Sequence, residues 1–120
     1  KKETTIMDRD KEQKIFQMHA EVCKSMANST RLKIINLLRN GEKSVEELRE
    51  RLRVPKANLS QHLSILRQCR IVTARRLGLN VYYRCANPKM LKACEILREV
   101  LMEQLAEGGR LSKWINKGEK

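Results

Sequence analysis

The stretch KANLSQHLSILR, Lys56–Arg67, separates its residues cleanly at helical spacing. At about 100° per residue, Leu59, Leu63 and Leu66 fall on one side, and Ala57, Gln61 and Ser64 on the other. Lys56, Ser60 and Arg67 run along one flank. No Asp or Glu interrupts the outward face. A solvent-facing helix ordinarily mixes Glu with Lys one turn apart. A surface without carboxylates suits a polyanion better than it suits water.

Immediately before this helix, Pro55 opens it, and Ser44 and Glu47 set up an S-x-x-E capping box for the preceding helix, SVEELRERL. Only Arg53 to Pro55 join the two, which is the layout of a helix-turn-helix. Further upstream, Asn28 or Ser29 caps a helix through Leu32, Ile35 and Leu38 that Asn40-Gly41 stops. A first helix is predicted from about Lys11 to Met26, with Ile15, Phe16, His19, Val22, Cys23 and Met26 in one stripe. Downstream the period changes. IVTARRLGLNVYYR reads as two short strands around Gly78 and Asn80, a hairpin with a basic tip carrying Arg75, Arg76 and Arg84. A long helix then runs from about Pro88 to Ala106, with Met90, Leu91, Cys94, Leu97, Leu101 and Leu105 on one face, until Gly108-Gly109 ends it.

The expected fold is thus mainly α with a small β-hairpin wing, in the order α-α-α-α-β-β-α: a winged helix-turn-helix with an extra helix at each end. Residues 1–10 are expected to be a flexible arm, 11–107 the winged domain with its dimerisation helices, and 108–120 a basic tail with room for a short turn of helix.

At 120 residues the length suits one domain, and 41% hydrophobic residues suffice for a core. With four aromatics in all, that core must be built of Leu, Ile, Val and Met. Lys and Arg outnumber Asp and Glu by 26 to 14, a formal charge of +12, which favours an anionic partner. No apolar run approaches ~18 residues, so no membrane span is expected. The opening KKETTIMDRDKEQK has no apolar segment of the secretory kind, and the default compartment is the cytoplasm. There Cys23, Cys69, Cys85 and Cys94 stay reduced, and they show no C-x-x-C pairing of a zinc ribbon. An enzyme is not expected: there is no phosphate-binding glycine loop, no His-Glu metal pair and no nucleophile with an evident base.

SMANSTRLKIINLL (25–38), SVEELRERLRVPKANLSQHLSILRQCRIV (44–72) and RRLGLNVYYR (75–84) resemble, in order and spacing, the ArsR/SmtB family of bacterial and archaeal transcriptional repressors. The resemblance spans roughly residues 20–105. It implies a homodimer built on the first and last helices, and promoter binding altered when a metal ion, metalloid or reactive sulfur species is sensed. Glycine is common in the family after the third helix and after the recognition helix. Here Arg53 and Arg70 stand at those places, and a non-glycine residue in the left-handed conformation costs about 1–2 kcal/mol.

On this reading Lys56–Gln68 enters the major groove of double-stranded DNA. Gln61 is the best base reader, since glutamine can bond adenine N6 and N7 together. Ser60 reaches base edges or phosphates, Lys56 and Asn58 hold the backbone, and Ala57 admits close approach to a thymine methyl. Ser64 and Arg67 complete the face, and Arg75, Arg76 and Asn80 on the wing meet flanking phosphates or the minor groove. His62, beside the leucines, is either packed or on a phosphate.

For the trigger, two arrangements common among relatives are missing. The third-helix segment EKSVEELR has no cysteine, and the positions matching a last-helix metal set hold Asn87, Lys89, Val100 and Glu103. What remains is His19 and Cys23 one turn apart, Cys94 on the last helix, and Cys85 at the strand end. These offer a soft-metal site for zinc, cadmium or arsenic, or thiols open to reactive sulfur, or only small apolar packing residues. Cys69 sits beside Arg70, which favours its thiolate. The expected function is a dimeric repressor on an inverted-repeat operator, released by a thiol-reactive species or soft metal. A constitutive winged-helix DNA-binding protein without a cysteine switch is the alternative, and a protein-docking module a third reading.

Overall fold

The structure, a computed structural model, describes residues 6–118. Its elements are α1 (Ile6–Met26), α2 (Ser29–Leu37) with a 3₁₀ turn at Leu38–Asn40, β1 (Lys43–Ser44), α3 (Val45–Leu52), α4 (Lys56–Gln68), β2 (Val72–Leu77), β3 (Asn80–Cys85), α5 (Pro88–Ala106) and α6 (Arg110–Gly118). The chain divides into two compact units, one ending at Ala86 and one beginning at Asn87. Among the described residues, no helix is long and apolar enough to cross a membrane.

The helix ends follow from local chemistry. Asn28 caps α2 by accepting the Arg31 amide at 3.1 Å. Ser44 and Glu47 form the full capping box: Ser44 Oγ accepts the Glu47 amide at 3.1 Å, and the Glu47 carboxylate accepts the Ser44 amide at 2.7 Å. That amide holds the Glu47 carboxyl below its usual pKa. Pro55 starts α4, and Asn87 followed by Pro88 starts α5.

Arg53 and Arg70 both adopt the left-handed conformation, with φ of 55° and 61°. Arg53 donates its amide to the Arg49 carbonyl at 2.8 Å, ending α3. After α4, the Arg70 amide bonds the Arg67 carbonyl at 3.0 Å and the Ile71 amide the Leu66 carbonyl at 2.9 Å. That pair is a Schellman ending, closed by apolar contact between the residues flanking it, and both Leu66 and Ile71 are fully buried. The turns therefore keep the geometry that glycine favours and carry its strain.

The core of the first unit is Ile34, Ile35, Leu38, Leu48, Leu59, Leu63, Leu66, Ile71, Val72 and Cys85, aliphatic apart from the one thiol. The three leucines of α4 thus bury the face predicted for them. In the second unit α5 contains no buried residue, and α6 packs on it.

Four features differ from expectation. Helix α1 starts at Ile6, taking in half of the stretch expected to be a flexible arm; residues 1–5 lie outside the described ones. Only Met7 and Arg9 of this segment are strong helix formers, but Asp8 is favourably placed in the first turn. The sheet has three strands in the order β1-β3-β2, because Lys43 and Ser44 pair with Tyr83 and Tyr82 and cover the second edge of the hairpin. The hairpin tip is apolar: the two-residue turn is Gly78-Leu79, with φ +64° at Gly78, and Leu79 is 96% exposed. Register places Arg76 opposite Val81 and Arg75 opposite Tyr82, down the strands and away from the tip. Finally, the helix in the basic tail is longer than a short turn: α6 has nine residues.

Candidate nucleic-acid interface

Burying Leu59, Leu63 and Leu66 forces the rest of α4 outward. Lys56, Ala57, Asn58, Ser60, Gln61, Ser64 and Arg67 are all exposed, and so is Gln68. No side chain caps the N-terminus of α4, and its first turn has no acid. Its positive end is left uncompensated, which favours phosphate nearby. Arg53 and Arg70, both exposed, add cations just beyond its two ends.

Arg67 reaches a cleft of about 380 Å³ lined also by Ala74, Arg75, Arg76, Val81 and Tyr83. Helix α4 and the β2–β3 hairpin thus share one cleft, with Arg67 and Arg76 both on its lining. Asn80 is exposed at the start of β3, beside the tip.

Arg75 stands differently from Arg76. Its Nε and Nη2 donate to the two Glu42 oxygens at 2.6 and 2.9 Å, and its guanidinium lies over the Tyr82 ring, 5.4 Å from the centroid. The forked bond holds the Glu42 carboxyl below its ordinary value and raises Arg75 further. The charge of Arg75 is compensated by Glu42, and the pair ties β2 to the segment before β1. Nothing in the sequence pointed to this pairing across 33 positions. Arg84, exposed and on the same face as Arg75, is close enough to Glu42 to help hold that carboxyl down.

His62 is packed: half-buried, its Nδ1 accepts from Arg31 Nη1 at 3.1 Å. Arg31 also donates from Nε to the Ser25 carbonyl at 2.5 Å. Sequence reasoning had no signal for this link, which joins residues 31 positions apart.

The cysteines are all thiols. Cys23 is exposed on α1 with His19, also exposed, one turn before it. Cys69 is half-buried at the end of α4, Cys94 half-buried on α5, and Cys85 buried in the core against Val72. Among the described residues, no group of three or more His, Cys, Asp or Glu converges as a metal site would require.

Comparison with known proteins agrees with this geometry. The family model described as "Bacterial regulatory protein, arsR family" matches residues 28–74. The transcriptional repressor PagR of Bacillus anthracis is 32% identical over 98 residues, 81% of this chain and 98% of PagR. The transcriptional activator HlyU of Vibrio cholerae is 36% identical over 77 residues, 64% of this chain and 71% of HlyU. Among solved structures, a homodimeric winged helix-turn-helix DNA-binding domain from Mycobacterium bovis, described as a possible ArsR-family regulator, superposes with a TM-score of 0.73 at 31% identity. That match covers 80% of this chain and 89% of the other.

Proposed function

This chain belongs to the ArsR family of DNA-binding transcriptional regulators, and from that membership we propose that it is a homodimeric repressor on an inverted-repeat operator, released when Cys23 reacts. The observation that carries the DNA-binding half is the outward face of α4: seven exposed residues without a carboxylate, continuous with the Arg67–Arg76 cleft. Gln61 reads a base, Ser60, Ala57 and Ser64 allow close approach, and Lys56, Asn58, Arg67 and Arg76 hold phosphates. Two such helices related by a twofold axis meet successive major grooves about 34 Å apart.

Dimerisation is supported by uncovered apolar surface. Every residue of α1 from Asp8 to Glu21 is exposed, among them Ile15, Phe16 and Met18. On α5, Ile96, Leu97, Val100, Leu101 and Met102 are exposed as well. Helices of this kind draw most of their stability from packing an apolar face, so both need a partner surface.

Cys23 supports the switch because it lies beside His19 on the face of α1 that the second protomer would cover, so a change at its sulfur bears directly on that interface. A soft metal would use the His19–Cys23 pair with ligands from elsewhere, and a reactive sulfur species would need the thiol alone. Repression follows if the site overlaps a promoter, and the expected compartment is the cytoplasm, where the DNA lies.

The test is DNA affinity for an operator selected from random sequence, first with reduced protein, then with a sulfane-sulfur donor, then with Zn(II), Cd(II) or As(III). Mass spectrometry on the same samples identifies the altered cysteines. A tenfold or greater loss with Cys23 modified or metal-bound supports the switch. Tight binding through every treatment leaves a constitutive DNA-binding protein. Absence of salt-dependent binding to any DNA overturns the whole reading.

A further inference from the structure

We propose that Arg31 and His62 form a strap that positions α4 against the end of α1, and that protonation of His62 releases it, so that DNA binding weakens in mild acid. The inference rests on the reading of α4 as the DNA-contacting helix.

Arg31 is held at three points. Its amide is bound by Asn28 at 3.1 Å, its Nε donates to the Ser25 carbonyl at 2.5 Å, and its Nη1 donates to His62 Nδ1 at 3.1 Å. One side chain thereby connects the last turn of α1, the first turn of α2 and the middle of α4. Ser25 is itself buried and fixed, its hydroxyl donating to the Val22 carbonyl at 2.7 Å. His62 lies between Gln61 and the buried Leu63, so the strap acts on the part of α4 that faces outward with Gln61.

The bond fixes the protonation state of the ring. A guanidinium has donors and no acceptor, so Nδ1 must present a lone pair and the proton must sit on Nε2. Adding a proton at Nδ1 removes the acceptor and sets an imidazolium beside a guanidinium. From α2 the charged group facing the ring is Arg31, and α1 contributes the uncharged Ser25 carbonyl through it. One turn away on α4 itself are Asn58, Leu59, Ile65 and Leu66, none a carboxylate that would steady the cation. Half-burial and then Arg31 accordingly hold His62 below its ordinary value of 6.5.

The sign of the effect discriminates. A protein that binds a polyanion ordinarily binds tighter as acid adds positive charge. Release of the strap predicts the reverse. Operator affinity is to be measured by fluorescence anisotropy from about pH 7.5 to about pH 5 at constant ionic strength, where histidine titrates. Wild type is expected to lose about tenfold in a one-proton step, the scale of one charge-assisted bond. In His62→Asn the amide oxygen takes the place of Nδ1 and cannot titrate, so its affinity should stay near the neutral wild-type value. Arg31→Met should be weak and flat throughout. Wild-type affinity that holds or rises on acidification overturns the proposal, as does a parallel loss in His62→Asn.

Ring ¹⁵N shifts of the free protein separate the strap from the DNA reading. The expected result is the Nε2–H tautomer at neutral pH and a His62 titration that moves up in Arg31→Met. A proton on Nδ1 overturns the strap whatever the DNA does. With the expected tautomer but no DNA bound at any pH, the DNA reading fails and takes the positioning role with it.

Discussion

Replacing Arg53 and Arg70 by glycine separates backbone strain from charge at the two ends of α4. Both residues sit at positive φ, 55° and 61°, in helix endings whose hydrogen bonds are already made by the backbone. The left-handed conformation costs an ordinary L-residue about 1–2 kcal/mol. Glycine avoids that cost but loses roughly 0.5–1 kcal/mol more chain entropy on folding. The net expectation is a gain of about 0.5–1 kcal/mol per site. A helix of 13 residues lies between the two positions, roughly 20 Å, so the gains should add. For a domain of this size each kcal/mol moves Tm by about 4–8 °C. Urea and thermal unfolding at one fixed protein concentration measure this, which holds any contribution from self-association constant. The same variants should bind DNA less well. Each guanidinium that leaves a phosphate reduces the slope of log K against log salt by about 0.9. Loss of stability in either variant at unchanged m would refute the strain argument. Raised stability with an unchanged salt slope would mean that neither charge reaches DNA, and the strain would then have no binding function.

Gln61→Ala should cost about 1–3 kcal/mol on the selected operator and relax one base position, whereas an equal loss on random DNA would contradict base reading. Arg76→Ala should weaken binding to all sequences alike and flatten the salt slope, measured by anisotropy at several salt concentrations. Arg75→Ala should leave that slope nearly unchanged, since Glu42 already compensates its charge, and should instead raise hydrogen exchange at the wing. For pH, the Glu42 carboxyl is held below its ordinary 4.5 by Arg75. The folded form therefore binds that proton less tightly than the unfolded one. Its contribution to wing order is present above pH 4.5 and is lost as pH falls through the lower folded value. Exchange at β2 and β3 should rise across that window in wild type and not in Glu42→Gln.

The order of elements was legible because most helix ends here are written in adjacent residues. Ser44 with Glu47, Pro55, and Asn87 with Pro88 each solve a hydrogen-bonding problem within one turn, and α5 runs over the predicted Pro88–Ala106. The outward face of α4 was legible for a similar reason, since burying three leucines leaves no freedom for the rest. What escaped was nonlocal. Strand β1 is two residues long and exists only because β3, some forty positions on, presents an open edge. Arg75 and Arg76 are neighbours in a basic run, yet the pleat sends them to opposite faces and one of them finds Glu42. The hairpin was expected to have a basic tip because composition was read without register. The start of α1 escaped because Asp8 to Lys14 are all polar and give no apolar period to announce it.

The same division between local and distant contacts says how a signal at α1 would reach DNA. From Asp8 to Glu21 the helix is exposed, and its packing into the first unit is made by the last turn, Val22, Ser25 and Met26. Cys23 lies within that turn. The Val22 carbonyl accepts the Ser25 hydroxyl, and the Ser25 carbonyl accepts Arg31, which holds His62. A modification or metal at Cys23 that turned α1 by even a fraction of a residue would move the Ser25 carbonyl, because the helix carries the two as one rigid turn. It would affect DNA binding only by the difference in its affinity for the strapped and released arrangements. If the switch and the strap are one device, sulfur modification of Cys23 in Arg31→Met should change operator affinity far less than in wild type. A double-mutant cycle measures that directly: equal effects in both backgrounds would mean that the cysteine, if it signals, does so by another route.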